Sequence, residues 1–282
     1  MFNDMKKIFV AIVCLIAARF TLTGQTTENF LQRYDLLVSR VGPSGIGVDN
    51  LLNNWYKADS TDINVLLARF NYFYSASRRD SVVCRYSKKY LGMAPILSLK
   101  DTLGRTTYYY SESFFNEQTF GNAIKWLDRA LVLHNSRLDL CFMKADALLS
   151  YEKASPDMTL DYLKSVVEAN FTRKSTWDYP GADVDAEFFN GALQQYCYTF
   201  FQIGTTQSME AFKSLSELML KYQPKDVNFI NNIGAYYTAV KDNDKQALKY
   251  FRKSLKINPS DSVAIKNVQR IEKRSSSLAR KK

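Results

Sequence analysis

Few side chains in this 282-residue chain are of a kind, or at a spacing, that does chemistry. There is one histidine, His134. Paired-imidazole chemistry is therefore excluded, including two-His metal sites and the HExxH arrangement. No cysteine or carboxylate stands at triad-like or metal-like spacing from His134. It reads as a surface residue at a helix C-terminus, near the negative pole of the dipole. The four cysteines, Cys14, Cys84, Cys141 and Cys197, contain no CxxC pair. Asp178, Asp183, Asp185 and Glu187 form an acidic cluster beside a loop at Phe171 to Gly181. Hard cations take several oxygen ligands, but the ligand order of a calcium loop and its bend glycine are missing. Asp183 and Asp185 suit a helix N-terminus better, where carboxylates oppose the dipole. The run Gly42-Pro43-Ser44-Gly45-Ile46-Gly47 has the glycines of a phosphate loop. No apolar strand feeds it, however, and no Gly-Lys-[Ser/Thr] follows. The chain offers no catalytic residue, no metal site and no cofactor site.

The elements that would position any site are mostly helices. Over 28–41, Phe30, Leu31, Tyr34, Leu37, Val38 and Val41 recur at three- and four-residue spacing. A short helix follows over 49–57, with Leu51, Leu52, Trp55 and Tyr56. Asp59-Ser60-Thr61-Asp62 caps another, which runs through Val65, Leu66, Phe70 and Phe73 to about Ser77. One segment breaks the pattern: Ile96 to Lys100, then Asp101-Thr102-Leu103-Gly104, then Arg105 to Tyr110. It predicts a β-hairpin, because its second arm is rich in strand formers and its turn has Asp and Gly at the two ends. Helical periodicity resumes near Asn116.

The last third repeats. Ile233-Gly234, Tyr237, Ala247, Phe251, Ser254 and Pro259 place small residues between large ones on two helices separated by Lys241 to Asp244. Small residues let two helix backbones approach closely, and a proline ends the second helix. Looser copies lie upstream, with Ala145 and Leu148, Cys197 and Phe200, and Ala211, Leu215 and Leu218 before Pro224. Pro224 to Pro259 is 35 residues. This pattern resembles the tetratricopeptide repeat (TPR), closely over 226–259, less so over 117–224 and little over 25–115. Ser254 replaces the family's second alanine, and the inter-helix turn is one residue longer. With the hairpin and the amino-terminal segment described below, the chain is similar to secreted TPR proteins of Bacteroidetes-type bacteria.

The resemblance implies an all-α fold: a TPR-like α-solenoid of antiparallel helix pairs with a small β-hairpin insertion at about 96–110. It further implies a peptide or protein ligand held in a groove lined by first helices. Carried over by register, the groove candidates are Arg69, Tyr72, Asp139, Phe142, Asp146, Gln194, Tyr198, Asn228 and Asn231. The Lys/Asn clamp by which some TPR proteins hold a terminal carboxylate is not matched: Asn231 and Ala235 occupy those places. In the same register Cys197 takes the small-residue site, so it reads as packing.

The first 24 residues read as an address. Lys6 and Lys7 precede an apolar run, Ile8 to Ala18, and Gly24 precedes Gln25, the pattern of a secretory signal peptide cleaved after Gly24. Val13 before Cys14 fits a lipobox poorly. Cleavage leaves three cysteines, so at most one internal disulfide.

Charge then has to be divided. The chain carries 38 Lys and Arg against 28 Asp and Glu, a net +10 with a pI near 9.3. Residues 1–24 hold three bases and one acid, and the stretch from Lys266 holds seven bases and one acid, which leaves +2 for 25–265. The basic pI therefore belongs to the ends, and a nucleic-acid partner loses its support. The expected organisation is a signal peptide (1–24), a helical repeat domain (25–265) and a basic C-terminal helix end and tail (266–282). The expected function is a non-enzymatic protein- or peptide-binding scaffold in the periplasm or envelope of a Gram-negative bacterium. The alternatives are contact of the basic tail with an anionic membrane surface or polyanion, and a glycan-handling activity at the acidic loop.

Overall fold

The computed structural model describes residues 28–172 and 176–279. The segment 1–24 that reads as a signal peptide, with Cys14 and the expected cleavage bond, lies outside the described residues, as do Arg280, Lys281 and Lys282. Among the described residues no helix is long and apolar enough to cross a membrane. The fold is helical, with one small antiparallel sheet, and it divides into two compact units. Unit 1 comprises 28–79 and 114–135 of the described residues, and unit 2 comprises 80–113 and 136–279.

Unit 1 holds α1 (28–41), α2 (Val48–Ala58), α3 (Ile63–Ser77) and α4 (Glu117–Leu133). The Gly42 to Gly47 stretch is a turn between α1 and α2, with Gly42 at φ +79° and Gly47 at φ +87°. Glycine is the residue that takes such left-handed backbone without strain, so the chain can reverse there. Asp62 caps α3 by accepting from the Asn64 N–H at 3.0 Å, and its second oxygen accepts from Trp55 Nε1 at 2.8 Å. The cap therefore also pins α2 through the buried Trp55. Phe30 stacks on Trp55 with centroids 6.0 Å apart. Asn116 caps α4, accepting from the Thr119 N–H, and Ala123, Leu127 and Ala130 are fully buried along one α4 stripe. His134 is the C-cap of α4.

Between α3 and α4 the chain makes β1 (Arg78–Arg85), β2 (Leu97–Lys100) and β3 (Thr106–Phe115), in the spatial order β1-β3-β2. The predicted hairpin is present, with Leu97 opposite Tyr109 and Lys100 opposite Thr106, turning through Gly104 at φ +76°. It is one part of a larger sheet: β3 runs five residues past Tyr110, and β1 adds a third strand where the sequence analysis assigns nothing. Arg78-Arg79-Asp80-Ser81 has no apolar alternation to signal a strand. It pairs because β3 presents an edge whose N–H and C=O groups need partners.

In unit 2, α5 (Leu138–Glu152) packs with α6 (Asp157–Thr172), α7 (Ala186–Ile203) with α8 (Thr206–Tyr222), and α9 (Val227–Ala239) with α10 (Asp244–Ile257). Each pair is a hairpin of helices joined by a turn. α11 (Ser262–Ala279) lies on α10, its buried Ala264 and Ile271 meeting Ala247 and Phe251. It is one helix running straight through the expected boundary at 265/266. Its apolar stripe covers the last pair, as a terminal capping helix must.

Candidate functional site

The first helices of unit 2, α5, α7 and α9, meet through side chains. Asn190 Nδ2 of α7 donates to Asp226 Oδ2 at the start of α9 at 3.2 Å, and Gln194 Nε2 donates to Asn232 Oδ1 at 3.1 Å. The contact positions advance together on both helices, so α7 and α9 run parallel. Asn232 Nδ2 returns a bond to Gln194 Oε1 at 2.8 Å and a second to Ser216 Oγ at 3.1 Å. The two amides thus satisfy each other, as half-buried polar groups must. Tyr196 joins α7 to α5, donating to Asp146 Oδ1 at 2.7 Å. Burial and the Asp146 charge hold the Tyr196 phenol well above the usual tyrosine range. Burial also raises the Asp146 carboxyl, partly offset by the Tyr196 bond.

Exposed beside this seam are Tyr198, one turn beyond Gln194 with 54% of its surface open, Gln195 and Asn228. Asn228 lies one turn before Asn232, so it and Tyr198 bracket the seam at opposite ends. From Phe188 to Met209 and from Val227 to Val240 the chain has no Asp, Glu, Lys or Arg. Beyond the Asp226 carboxylate at its start, the α7–α9 face is therefore uncharged: amides, hydroxyls and one open aromatic ring. Such a surface can exchange hydrogen bonds with a peptide backbone and grip a side chain on the ring, without selecting for charge.

The expected groove residues do not all share this face. Gln194, Tyr198 and Asn228 belong to the α7–α9 face just described. Phe142 lies beside Tyr196, with ring centroids 5.9 Å apart, and its backbone oxygen accepts from the Tyr196 hydroxyl at 3.2 Å. Asp139 is held in a two-point pair by Arg137, both bonds at 2.7 Å. Asn231 is 6% exposed and donates to Asp261 Oδ2 at 2.6 Å, where Ser254 Oγ also donates. It ties α9 to the N-terminus of α11 and faces the core. Arg69 and Tyr72 lie on α3 in unit 1. Arg69 is 7% exposed, and Tyr72 sets its ring edge-on to Phe73 at 5.2 Å. Register alone did not separate the faces of α3 and α9. Asn232 and Gln195 were missed, although Asn232 stands four residues after Asn228 on the same helix.

The acidic cluster is taken apart by the fold. The Asp178 backbone pairs with Ser136 and Leu138, its N–H donating at 2.8 Å and its C=O accepting at 2.9 Å. Asp185 caps α7, accepting from the Phe188 N–H at 2.7 Å, as its position predicts. Among the described residues no three His, Cys, Asp or Glu side chains could share a metal ion. Cys141 and Cys197 are buried. Burial pushes the Cys197 thiol up to about 12, against hydrogen bonds with Ser216 and Asn232, and raises Cys141 as well. Neither is a ready thiolate.

No protein-family model matches the chain, and no curated protein does. Among solved structures it is similar to YrrB, described as a TPR protein with an unusual peptide-binding site. That match has a TM-score of 0.37 and 14% identity, over 88% of this chain and 97% of that one. It is also similar to MamA (TM-score 0.39, 13% identity, 85% of this chain and 95% of that one). A third is residues 41 to the end of MamA from Desulfovibrio magneticus RS-1 (TM-score 0.37, 14% identity, 85% and 97%). The helix-pair repeat of this chain rests on its own packing, above all the approach of Gly234 to Phe251, rather than on these scores.

Proposed function

We propose that this protein is a non-enzymatic scaffold that binds a protein or peptide in extended form, using the α7–α9 face of unit 2. The observation that carries this reading is the seam beyond Asp226, which has no charged side chain, with Asn228 and Tyr198 exposed at its two ends and the Gln194–Asn232 amide pair between them. Two first helices fixed side by side make a rigid surface, so a ligand meets groups whose ordering cost is already met. YrrB, with its peptide-binding site, is in keeping with this reading. The sequence pattern of residues 1–24 supports a place in the envelope or periplasm, which fractionation of cells producing the full chain checks: retention with the cytosol, uncleaved, overturns that part.

The basic C-terminus supports an anionic-surface reading less well. One of its bases, Arg274, is already engaged by Asp242 and Asp244. For the scaffold reading, the test is capture of partners from an envelope extract. Tyr198→Ala with Asn228→Ala should lose the captured partner, and raising salt should not. Unchanged capture by the double variant rejects the face.

A further inference from the structure

We propose that unit 1 carries a separate binding site, a cleft between α3 and α4 that takes the carboxylates of a short acidic peptide segment. It begins with Arg69. The side chain is 7% exposed, Nη2 donates to Asn53 Oδ1 at 2.6 Å, and Nε has no hydrogen-bond partner. Among the described residues no carboxylate forms an ion pair with it; Asp49 acts on it through space and is linked to it by Asn53, whose Nδ2 donates to Asp49 at 3.0 Å. The guanidinium lies 4.5 Å from the centre of the Trp126 ring and 5.0 Å from that of Tyr56. Ring quadrupoles stabilise such a cation but do not neutralise it, and a buried cation without an anion is costly.

A cavity of about 510 Å³ opens beside it, bounded by Phe73, Asn122, Lys125, Trp126 and Arg129. Asn122, Lys125, Trp126 and Arg129 fall at helical spacing on one face of α4. Phe73 stands one turn after Arg69 on α3. Trp126 is thus both a wall of the cavity and the platform under Arg69. Lys125 and Arg129 are exposed at its rim, and Arg129 also lies over Tyr56 at 5.3 Å. Two cations, two aromatic walls and one amide line the space, Arg69 adds its charge from the ring of Trp126, and no carboxylate lines it.

Guanidinium groups match carboxylates in shape as well as charge. The volume is that of a small-ligand pocket, enough for a short stretch of side chains. A polyanion such as nucleic acid is disfavoured because the charge is local. The described residues of unit 1 hold eight Lys and Arg against seven Asp and Glu, so no continuous basic surface extends from the cleft.

The test uses the full chain and a fluorescein-labelled Glu-Phe-Glu-Glu-Phe-Glu peptide, with the same peptide carrying Gln for Glu as control, read by anisotropy. The acidic peptide should bind, weaken with rising salt, and bind about tenfold more tightly than the control. Lys125→Gln with Arg129→Gln, both exposed and so safe for folding, should weaken it about tenfold with the melting temperature unchanged. Tyr198→Ala should leave it intact, which separates this site from the α7–α9 face. Equal binding of the two peptides overturns the proposal, as does an unaffected double variant. So does a lack of binding up to about 1 mM acidic peptide, the weak end of specific association. So would retention, in its place, of a short single-stranded oligonucleotide.

Discussion

Gly234 lies directly against the ring of Phe251: a Cβ on Gly234 would stand 2.8 Å from Cε1 and 2.9 Å from Cζ. No real Cβ sits so close to a ring, so α9 and α10 can cross at this distance only because the residue is glycine. Tyr237 stacks on Tyr250 one turn away, with centroids 5.7 Å apart, and the close crossing is what brings those rings together.

Gly234→Ala should therefore destabilise the chain although alanine is the better helix former. Overpacking costs about 1–3 kcal/mol, against about 1 kcal/mol gained in helix propensity. A net loss of about 1 kcal/mol in urea unfolding is expected, and Phe251→Leu in the same chain should recover part of it. A more stable Gly234→Ala variant would contradict the crossing.

Asp261 should make stability pH-dependent. Burial alone would raise its carboxyl, but bonds from Ser254, Asn231 and the Ala264 and Val263 N–H groups outweigh burial and hold it below the usual carboxylate value. A group depressed in the folded state stabilises fully above its unfolded pKa, about 3.9, and loses that contribution as pH falls through the folded value. The stability gap between the native chain and Asp261→Asn should be widest near neutrality and close below about pH 4. Thermal melts across pH check this; a gap constant with pH would refute it.

The thiols should divide cleanly. Asp80, Val82 and Cys84 share one face of β1, and the bond from Ser113 Oγ to Asp80 at 2.6 Å puts that face with Tyr109 of β3. Tyr109 in turn stands opposite Leu97, which is half exposed, so Cys84 belongs to the open face of the sheet. In a Cys14→Ser chain at mildly alkaline pH, one thiol should react with a disulfide reagent in the native state. Cys141 and Cys197 should join only on unfolding. Rapid reaction of Cys197 in the native state would show that the α7–α8 contact is open.

α11 should contribute to folding rather than serve only as a charged tail. Ile271 is 1% exposed against Phe251 and Ala247. Ile271→Ala should cost about 2–4 kcal/mol, whereas Lys273→Ala, on the solvated side, should stay within about 0.5 kcal/mol. Equal effects, read by urea unfolding, would mean the helix does not cap α10.

Much of the fold was legible because it rests on local rules. Capping residues and apolar periodicity placed α3 to Ser77 and the start of α4 at Asn116, and the sizes at 234, 247, 251 and 254 announced a helix pair that crosses closely. These are properties a helix has before it meets a partner. The sequence also determined that the last turns of the chain hold most of the charge, since counting needs no geometry.

What the tertiary structure decided concerns direction and pairing. β1 exists because β3 supplies an edge, which nothing in Arg78 to Ser81 foretells. Asn231 carries a residue type that suits a ligand in the first-helix groove, yet packing turns it toward Asp261, and packing sets Arg69 between Tyr56 and Trp126 beside the α3–α4 cleft instead. A helix places each side chain at a known angle about its own axis; only the neighbouring helices settle which of those angles meets solvent and which is sealed.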